Sequence, residues 1–468
     1  MMKGVPFFLA FALFCYPAVA QQSSTPSPQA KTATLMQGLG NLHHPVSTRN
    51  PAAQKFFDQG LRLIYAFNHD EAARSFQHAA ELDPTMAMAY WGIAEAVGPN
   101  YNDPANEPRR KQAYDAIQKA LQLSTNAPAS QRAYIEALAQ RYSDDPNADL
   151  RQLAVNYADA MREVMKQYPD DLDAATLFAE AMMNLHPWGL WTADGTPEEG
   201  TEEVISVLES VIRRDPNHMG AVHYYIHAVE ASPNPERALA GANRLAALAP
   251  AAGHLVHMPA HIYIRTGYYD AAVKTNEQAA AADRAYIEAS GVQGIYPMMY
   301  YSHNLHFIAI SAGMSGQFSE AKRAAIQLAD NVQPHVKDMP PLEAFMAIPT
   351  AVLVRFHRWH DILRLSAPDP SMKIATSFWH FARGLAFAGT GKLSEAQAEH
   401  AQLVAIESAT PADALYSMPI KNKTRDILKI ADNLLAAKIA MAQGDSAAAI
   451  SALREAVAVQ DALNYGEP

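Results

Sequence analysis

Two pairs of histidines recur in the sequence at an interval of 34 residues. His223 and His227 form the first pair, and His257 and His261 lie 34 positions after them. Residues three, four and seven apart share one face of a helix, so each pair predicts a helix with an imidazole-bearing face. The same spacing in two successive segments indicates a structural repeat, which constrains the fold more strongly than any other feature of the chain.

The repeat length predicts an all-α chain built from antiparallel helix pairs. From Pro51 onward the sequence is alanine-rich with helical periodicity, and it lacks the alternating pattern of strands. Prolines close successive segments, and Pro216 and Pro250 are again 34 residues apart, the length of a tetratricopeptide (TPR) unit. We therefore predict a TPR superhelical solenoid, with N-terminal repeats over 51–170, histidine-rich central repeats over 171–330 and C-terminal repeats over 331–468.

The N-terminal 50 residues differ from the rest of the chain. Residues 1–20 have the pattern of a secretory signal peptide, with Lys3 before an apolar run and small residues at 18–20. Residues 21–50 are predicted to be a flexible tether. The expected location is the periplasm or the cell exterior, with no membrane span.

The cysteine content and the net charge exclude two kinds of site. Cys15, the only cysteine, lies within the signal, so the mature chain has no thiolate ligand. The net charge of -11 argues against a nucleic-acid partner.

Counting positions within each unit predicts which side chains face the concave groove of the solenoid. On the first helix of a unit these are the second, fifth, ninth and twelfth positions. The histidines at these positions are His223, His227, His254, His257, His261, His303 and His306. Glu230 occupies the twelfth position of its helix, and Glu180 and Glu95 occupy the ninth position of theirs.

Imidazoles on neighbouring helices predict a metal site in this groove. Neutral imidazole is the commonest nitrogen ligand, and adjacent helices lie close enough for both to reach one ion. Seven histidines exceed what one ion needs, so two ions, or a mixture of ligands and acid/base groups, are both compatible with the pattern. The metal would be a divalent transition metal such as zinc, copper or iron. The alternative is that these histidines bind the carboxylate of a peptide.

Two local features bear on the shape of the groove. Pro259 removes a backbone donor inside the second histidine helix and predicts a kink there. The insertion over residues 186–200 carries Trp188 and Trp191, which form either a packed loop or an aromatic wall over the groove.

Several runs of the sequence resemble a group of exported bacterial TPR proteins. These runs cover residues 65–76, 89–94, 98–100, 223–230, 253–267 and 300–307. The resemblance spans most of the mature chain and implies a TPR solenoid in the periplasm or outside the cell, without implying a particular activity. Members of the group continue beyond a Tyr-x-Glu-Pro run, which here ends at Pro468, so truncated C-terminal repeats are expected.

Two functional hypotheses follow from these observations. The first is a metal-dependent hydrolase or oxidoreductase, in which the histidines hold the ion and Glu230 or Glu180 serves as ligand or general base. Its substrate would be a small molecule or peptide in the groove. The second is a non-catalytic TPR scaffold whose groove binds a peptide or protein partner.

Overall fold

The computed structural model describes residues 33–416 and 421–467, and within these ranges the chain forms helices and no strand. The helices are consecutive, and each packs against the next. The first four pairs are α1 (Pro51–Tyr65) with α2 (His69–Leu82), α3 (Ala87–Val97) with α4 (Glu107–Leu123), α5 (Ala129–Ala139) with α6 (Leu150–Gln167), and α7 (Leu172–Met183) with α8 (Thr201–Arg214). The predicted all-α TPR solenoid is confirmed. The predicted signal peptide lies outside the described residues.

The central helices carry the histidines. They are α9 (Met219–Glu230), α10 (Leu239–Leu248), α11 (Gly253–His257), α12 (Pro259–Arg265), α13 (Tyr269–Ser290), α14 (Tyr301–Met314) and α15 (Phe318–Val332). The break between α11 and α12 falls at Met258, where Pro259 begins the second segment, so the predicted kink is confirmed. A π-helical turn, Tyr296–Tyr300, leads into α14.

The C-terminal repeats continue the array. Their helices are α16 (Glu343–Met346), α17 (Ile348–Arg355), α18 (Trp359–Ile362), α19 (Lys373–Gly389), α20 (Leu393–Ala409), α21 (Thr424–Ala442) and α22 (Ser446–Asp461). Among the described residues, no helix is sufficiently long and apolar to cross a membrane.

The superhelix curls tightly enough for its first helix to reach the centre of the array. Helix α1 contacts α9, where Tyr65 packs on Gly220. A Cβ atom at Gly220 would lie 2.5 Å from the Tyr65 ring, so this approach requires glycine. Helix α1 thus lies beside the groove of the central repeats, where five of the predicted histidine ligands are buried and His303 and His306 are partly exposed.

Residues 33–50 differ from the flexible tether predicted for 21–50. Although this segment has no regular secondary structure, Leu39 is buried, and the Met36 amide donates to Gln59 Oε1 at 2.7 Å. His44 reaches Asp173 at the start of α7, with Nδ1 2.8 Å from Oδ2. The segment is held by these polar contacts to distant repeats, which its local composition does not reveal.

Candidate metal centre

Six of the seven predicted histidine ligands converge as two triads. In each triad one nitrogen per residue lies within 4.8 Å of the others. The first triad is His223, His227 and His254, and the second is His257, His261 and His303. Helices α9, α11, α12 and α14 contribute these residues, as the repeat register predicts. Of the six, only His303 is partly exposed.

Hydrogen bonds at Nδ1 fix the tautomer of four of these rings. Each Nδ1 lies beside an oxygen that can only accept a hydrogen bond. His223 lies 2.7 Å from the Tyr65 carbonyl, and His257 lies 2.6 Å from Asn276 Oδ1. His227 and His261 lie 2.8 and 2.7 Å from Glu230 Oε1 and Oε2, respectively. The Asn276 amide orientation is set because its Nδ2 donates to the Ala272 carbonyl. Each of these Nδ1 atoms therefore donates a proton, and in the neutral ring each Nε2 keeps its lone pair.

The free Nε2 atoms face one another. The Nε2 atoms of His257 and His261 lie 2.7 Å apart, and those of His223 and His254 lie 3.1 Å apart. The Nε2 of His227 is buried without a hydrogen-bond partner. Two lone pairs repel, so a cation must lie between His257 and His261, either a proton or a metal ion. Two nitrogens on a tetrahedral zinc would lie about 3.3 Å apart, given a Zn–N distance of about 2.0–2.1 Å. The 3.1 Å separation of His223 and His254 is close to this value, whereas the 2.7 Å separation of His257 and His261 is shorter and fits a shared proton.

Burial and the Glu230 carboxylate set the charge of these rings. Burial, followed by neighbouring histidines, lowers the pKa of His223, His254 and His257, which keeps the imidazoles neutral. Burial also opposes the charge on His261, but the adjacent Glu230 outweighs it and raises the pKa of that ring. Despite burial, His261 and His227 hold the pKa of Glu230 well below its usual range. Neutral imidazole supported by a carboxylate is the form that binds metals.

Two residues of the C-terminal tail complete the polar shell of the second triad. Glu467 lies between two histidines, with Oε2 3.1 Å from His261 Nδ1 and Oε1 3.1 Å from His303 Nε2. Tyr465 donates its hydroxyl to Glu230 Oε2 at 3.1 Å, across 235 positions of sequence. Sequence reasoning noted the Tyr-x-Glu-Pro run but did not place it in the site, because only the tertiary fold brings the tail there.

The other two predicted site residues lie apart from the triads. His306 packs edge-on against Phe345 with ring centroids 5.5 Å apart, and burial, followed by the nearby His303, lowers its pKa to about 3. Glu180 accepts a hydrogen bond from Asn184 and is near Arg141. No hydrogen bond or ion pair joins it to a triad histidine within the described ranges. The carboxylate that the structure brings to the histidines is Glu230.

Aromatic side chains cover the first triad. Phe67 stacks on His227 and His254, with centroids 5.7 and 5.2 Å apart, and Trp188 meets His227 edge-on at 5.7 Å. Both Phe67 and Trp188 adopt left-handed backbone conformations, with φ of 52° and 58°. Such conformations are unfavourable for bulky residues and cluster at functional sites. Trp188 of the insertion over 186–200 thus lies beside the histidines, whereas Trp191 packs against the core and donates Nε1–H to the Ala228 carbonyl, so the insertion has features of both predicted alternatives.

Comparisons with known proteins show which folds resemble this chain. No protein family and no curated protein matches the sequence. A tetratricopeptide repeat protein from Parabacteroides merdae is 12% identical with a TM-score of 0.35, over 65% of this chain and 99% of that one. A signal transduction ATPase with a tetratricopeptide repeat sensor from Pyrococcus horikoshii is 14% identical with a TM-score of 0.38, over 89% of this chain and 55% of that one. Yeast Tom70 is 9% identical with a TM-score of 0.32, over 88% and 86%. At this level of similarity no activity or ligand transfers to the chain.

Proposed function

We propose that this chain is an exported TPR-repeat protein that binds one or two divalent transition-metal ions, zinc, copper or iron, through its two histidine triads. The single observation that carries the proposal is the convergence of six histidines as two triads, each with one nitrogen per residue within 4.8 Å of the others. In the second triad, the rings of His257 and His261 both direct Nδ1 to an oxygen acceptor and turn Nε2 towards each other, so a metal ion can take the place of a proton between them. The location, in the periplasm or outside the cell, rests on the signal-like sequence of residues 1–20.

The ligand set favours a transition metal over a hard cation. Imidazole nitrogens suit zinc, copper and iron, whereas calcium and magnesium prefer oxygen. In the second triad, Glu467 would add a carboxylate oxygen beside His261 and His303. Glu230 accepts from two imidazoles, which favours a role in orienting the ligands over a role as general base.

A metal-dependent hydrolase or oxidoreductase activity is part of the proposal. A bound ion of this kind activates water for hydrolysis, or dioxygen where the metal is copper or iron. The chain's own residues would exclude bulk water from the ion, because Phe67, Trp188 and Tyr101 surround His227. Low dielectric around the ion strengthens its effect on a bound substrate.

A second candidate function is peptide or protein binding without catalysis. The observation that favours it is the segment over residues 464–467, which has no regular secondary structure and contacts the groove residues. Tyr465 and Glu467 find a carboxylate and two imidazoles as partners there. A groove with such contacts can accept a peptide of similar chemistry.

Elemental analysis by mass spectrometry of untagged protein tests the metal proposal. We expect near-stoichiometric metal in the wild type and its loss in the His257→Ala, His261→Ala double variant. A matched control is His400→Ala, which removes a histidine whose partner is Asp432, outside the groove. Metal absent from the wild type, even after reconstitution with zinc, copper and iron, would contradict the proposal. Chelator-insensitive capture of a peptide by such metal-free protein would support the scaffold function.

A further inference from the structure

A second polar cluster surrounds a buried arginine whose nearest carboxylate lies beyond hydrogen-bond distance. Arg141 follows α5, and its side chain is 3% exposed. Its guanidinium stacks over the Tyr157 ring at 4.9 Å, and Nη1 lies 4.0 Å from Glu95 Oε1. That distance exceeds a hydrogen bond, and Nη1 has no acceptor. A buried guanidinium donor without an acceptor is rare in a protein whose polar groups only stabilise the fold.

Two acceptors near Arg141 also lack partners. Asn184 donates to Glu180 Oε1, which leaves Glu180 Oε2 and Asn184 Oδ1 buried and unpaired. The charge of Arg141 acts on both Glu95 and Glu180 and opposes the effect of their burial. Unpaired donors and unpaired acceptors therefore occur in one cluster without satisfying one another.

The charges of the cluster nearly balance. Burial, and then repulsion by Glu180, raises the pKa of Glu95 to about 7, so this carboxyl is partly protonated at neutral pH. Burial also raises the pKa of Glu180. With Arg141 positively charged and Glu180 ionised when a cation pairs with it, a ligand that carries both a carboxylate and an ammonium leaves the net charge of the cluster unchanged.

The position of the cluster indicates a ligand rather than a structural network. Glu95 and Glu180 occupy the same repeat position on α3 and α7 that His227 and His261 occupy on α9 and α12. This row of equivalent positions lines the inner surface of the solenoid, which is where TPR units bind their ligands. A polar cluster in that row is placed to contact what the groove holds.

We propose that Arg141, Glu180 and Asn184 form a binding site for a free α-amino acid. The ligand's carboxylate accepts from Arg141 Nη1, and its ammonium donates to Glu180 Oε2 and Asn184 Oδ1. A zwitterion supplies both an acceptor and donors, which matches the two kinds of unpaired atom. The site does not require a metal ion, so it stands independently of the proposed metal function.

Thermal shift and isothermal titration calorimetry on the full chain, with and without chelator, test the site. The probes are the common α-amino acids singly, including glycine, with acetate and glycinamide as analogues that each lack one charged group. We expect at least one amino acid to bind, and acetate and glycinamide to bind about 10-fold to 100-fold more weakly than glycine or not at all, the effect of losing a hydrogen bond to a charged group. Absence of binding by every amino acid would overturn the proposal, as would equal binding of glycine and acetate.

Substitution of Arg141 separates a ligand site from a structural role. Arg141→Met should lose amino-acid binding while keeping the helical circular dichroism signal of the wild type, with Glu95 and Glu180 then buried in their protonated form. Arg162→Met is the matched control, since Arg162 stacks on Phe178 at 5.0 Å but pairs with Glu203 at the surface. Unchanged amino-acid binding by Arg141→Met would overturn the proposal.

Glu180→Gln provides a second variant that conserves shape. It should weaken amino-acid binding by about 10-fold or more, because an amide replaces the carboxylate that pairs with the ammonium. Wild-type affinity in this variant would refute the assignment of Glu180, whether or not Arg141→Met folds. Metal content, measured on the same samples, reports separately on the histidine triads.

Discussion

The Glu230 carboxylate provides the most direct test of how the histidines are oriented. It is buried and accepts Nδ1–H groups from His227 at 2.8 Å and from His261 at 2.7 Å. Each bond keeps the proton on Nδ1 and leaves the lone pair on Nε2, the atom available to a metal. Because His227 belongs to one triad and His261 to the other, this carboxylate orients a ligand of each.

Glu230→Gln keeps the shape of the side chain but replaces one acceptor oxygen with an NH2 group. That group would face the Nδ1–H of one histidine, and two donors cannot bond. The affected ring must rotate or move its proton to Nε2, and either change removes it as a ligand. Loss of an outer-shell partner typically weakens metal binding about 10-fold to 100-fold, which corresponds to about 1.4–2.7 kcal/mol.

The assay is metal retention against increasing chelator, followed by elemental analysis. We expect Glu230→Gln to release its metal at a chelator concentration about 10-fold to 100-fold lower than the wild type does. Glu209→Gln is the matched control, because Glu209 also accepts two donors, Tyr225 and Arg237, but lies away from the triads. Equal metal retention by Glu230→Gln and the wild type would refute the assigned tautomers.

Three further predictions concern the surroundings of the site. Gly253→Ala should lower the free energy of unfolding in urea by about 1–3 kcal/mol, because its Cβ would lie 1.8 Å from Asp283 Oδ1. An unchanged midpoint of the urea unfolding curve would contradict this steric argument. The contact between Asp173 and His44 should make the wild type more stable than Asp173→Asn chiefly between about pH 4 and pH 6.5. Although burial opposes both charges, His218 and then His44 lower the pKa of Asp173, so this contribution to stability is lost in acid. Asp173 raises the pKa of His44, so that contribution is lost as pH increases through the raised value. A pH-independent difference in unfolding free energy would exclude this pairing. Glu467→Gln should lower metal affinity about 10-fold without changing the helical circular dichroism signal, and unaltered affinity would show that the tail does not support the ion.

The repeat register predicted much of the site from sequence. It placed six histidines on one surface because the 34-residue period fixes which positions of successive helices face inward. The same counting placed Glu180 in the groove, but it could not distinguish Glu180 from Glu230 as the partner of the imidazoles. Glu180 instead contacts Asn184 and lies near Arg141, and only the folded chain brings Arg141 close to it.

Contacts between distant segments could not be predicted from the sequence, because they depend on how tightly the superhelix curls. A period specifies neighbouring repeats, whereas the approach of α1 to α9 depends on the summed rotation of all the repeats between them. The contact of His44 with Asp173, the Tyr65 carbonyl beside His223 and the tail beside His261 all join segments that are distant in sequence. The sequence shows no pattern that links these segments.

The curvature also determines the chemistry of the histidines. In an open groove, water would hydrate each imidazole, and its pKa would stay near the ordinary value of about 6.5. Here α1 covers the first triad, and burial lowers the pKa of His223 and His254. Removing water keeps these rings neutral, and the Tyr65 carbonyl selects the His223 tautomer that leaves Nε2 free. Closure of the solenoid therefore converts a row of surface histidines into prepared ligands, so a change that loosens α1 from α9 should weaken metal binding without altering any histidine.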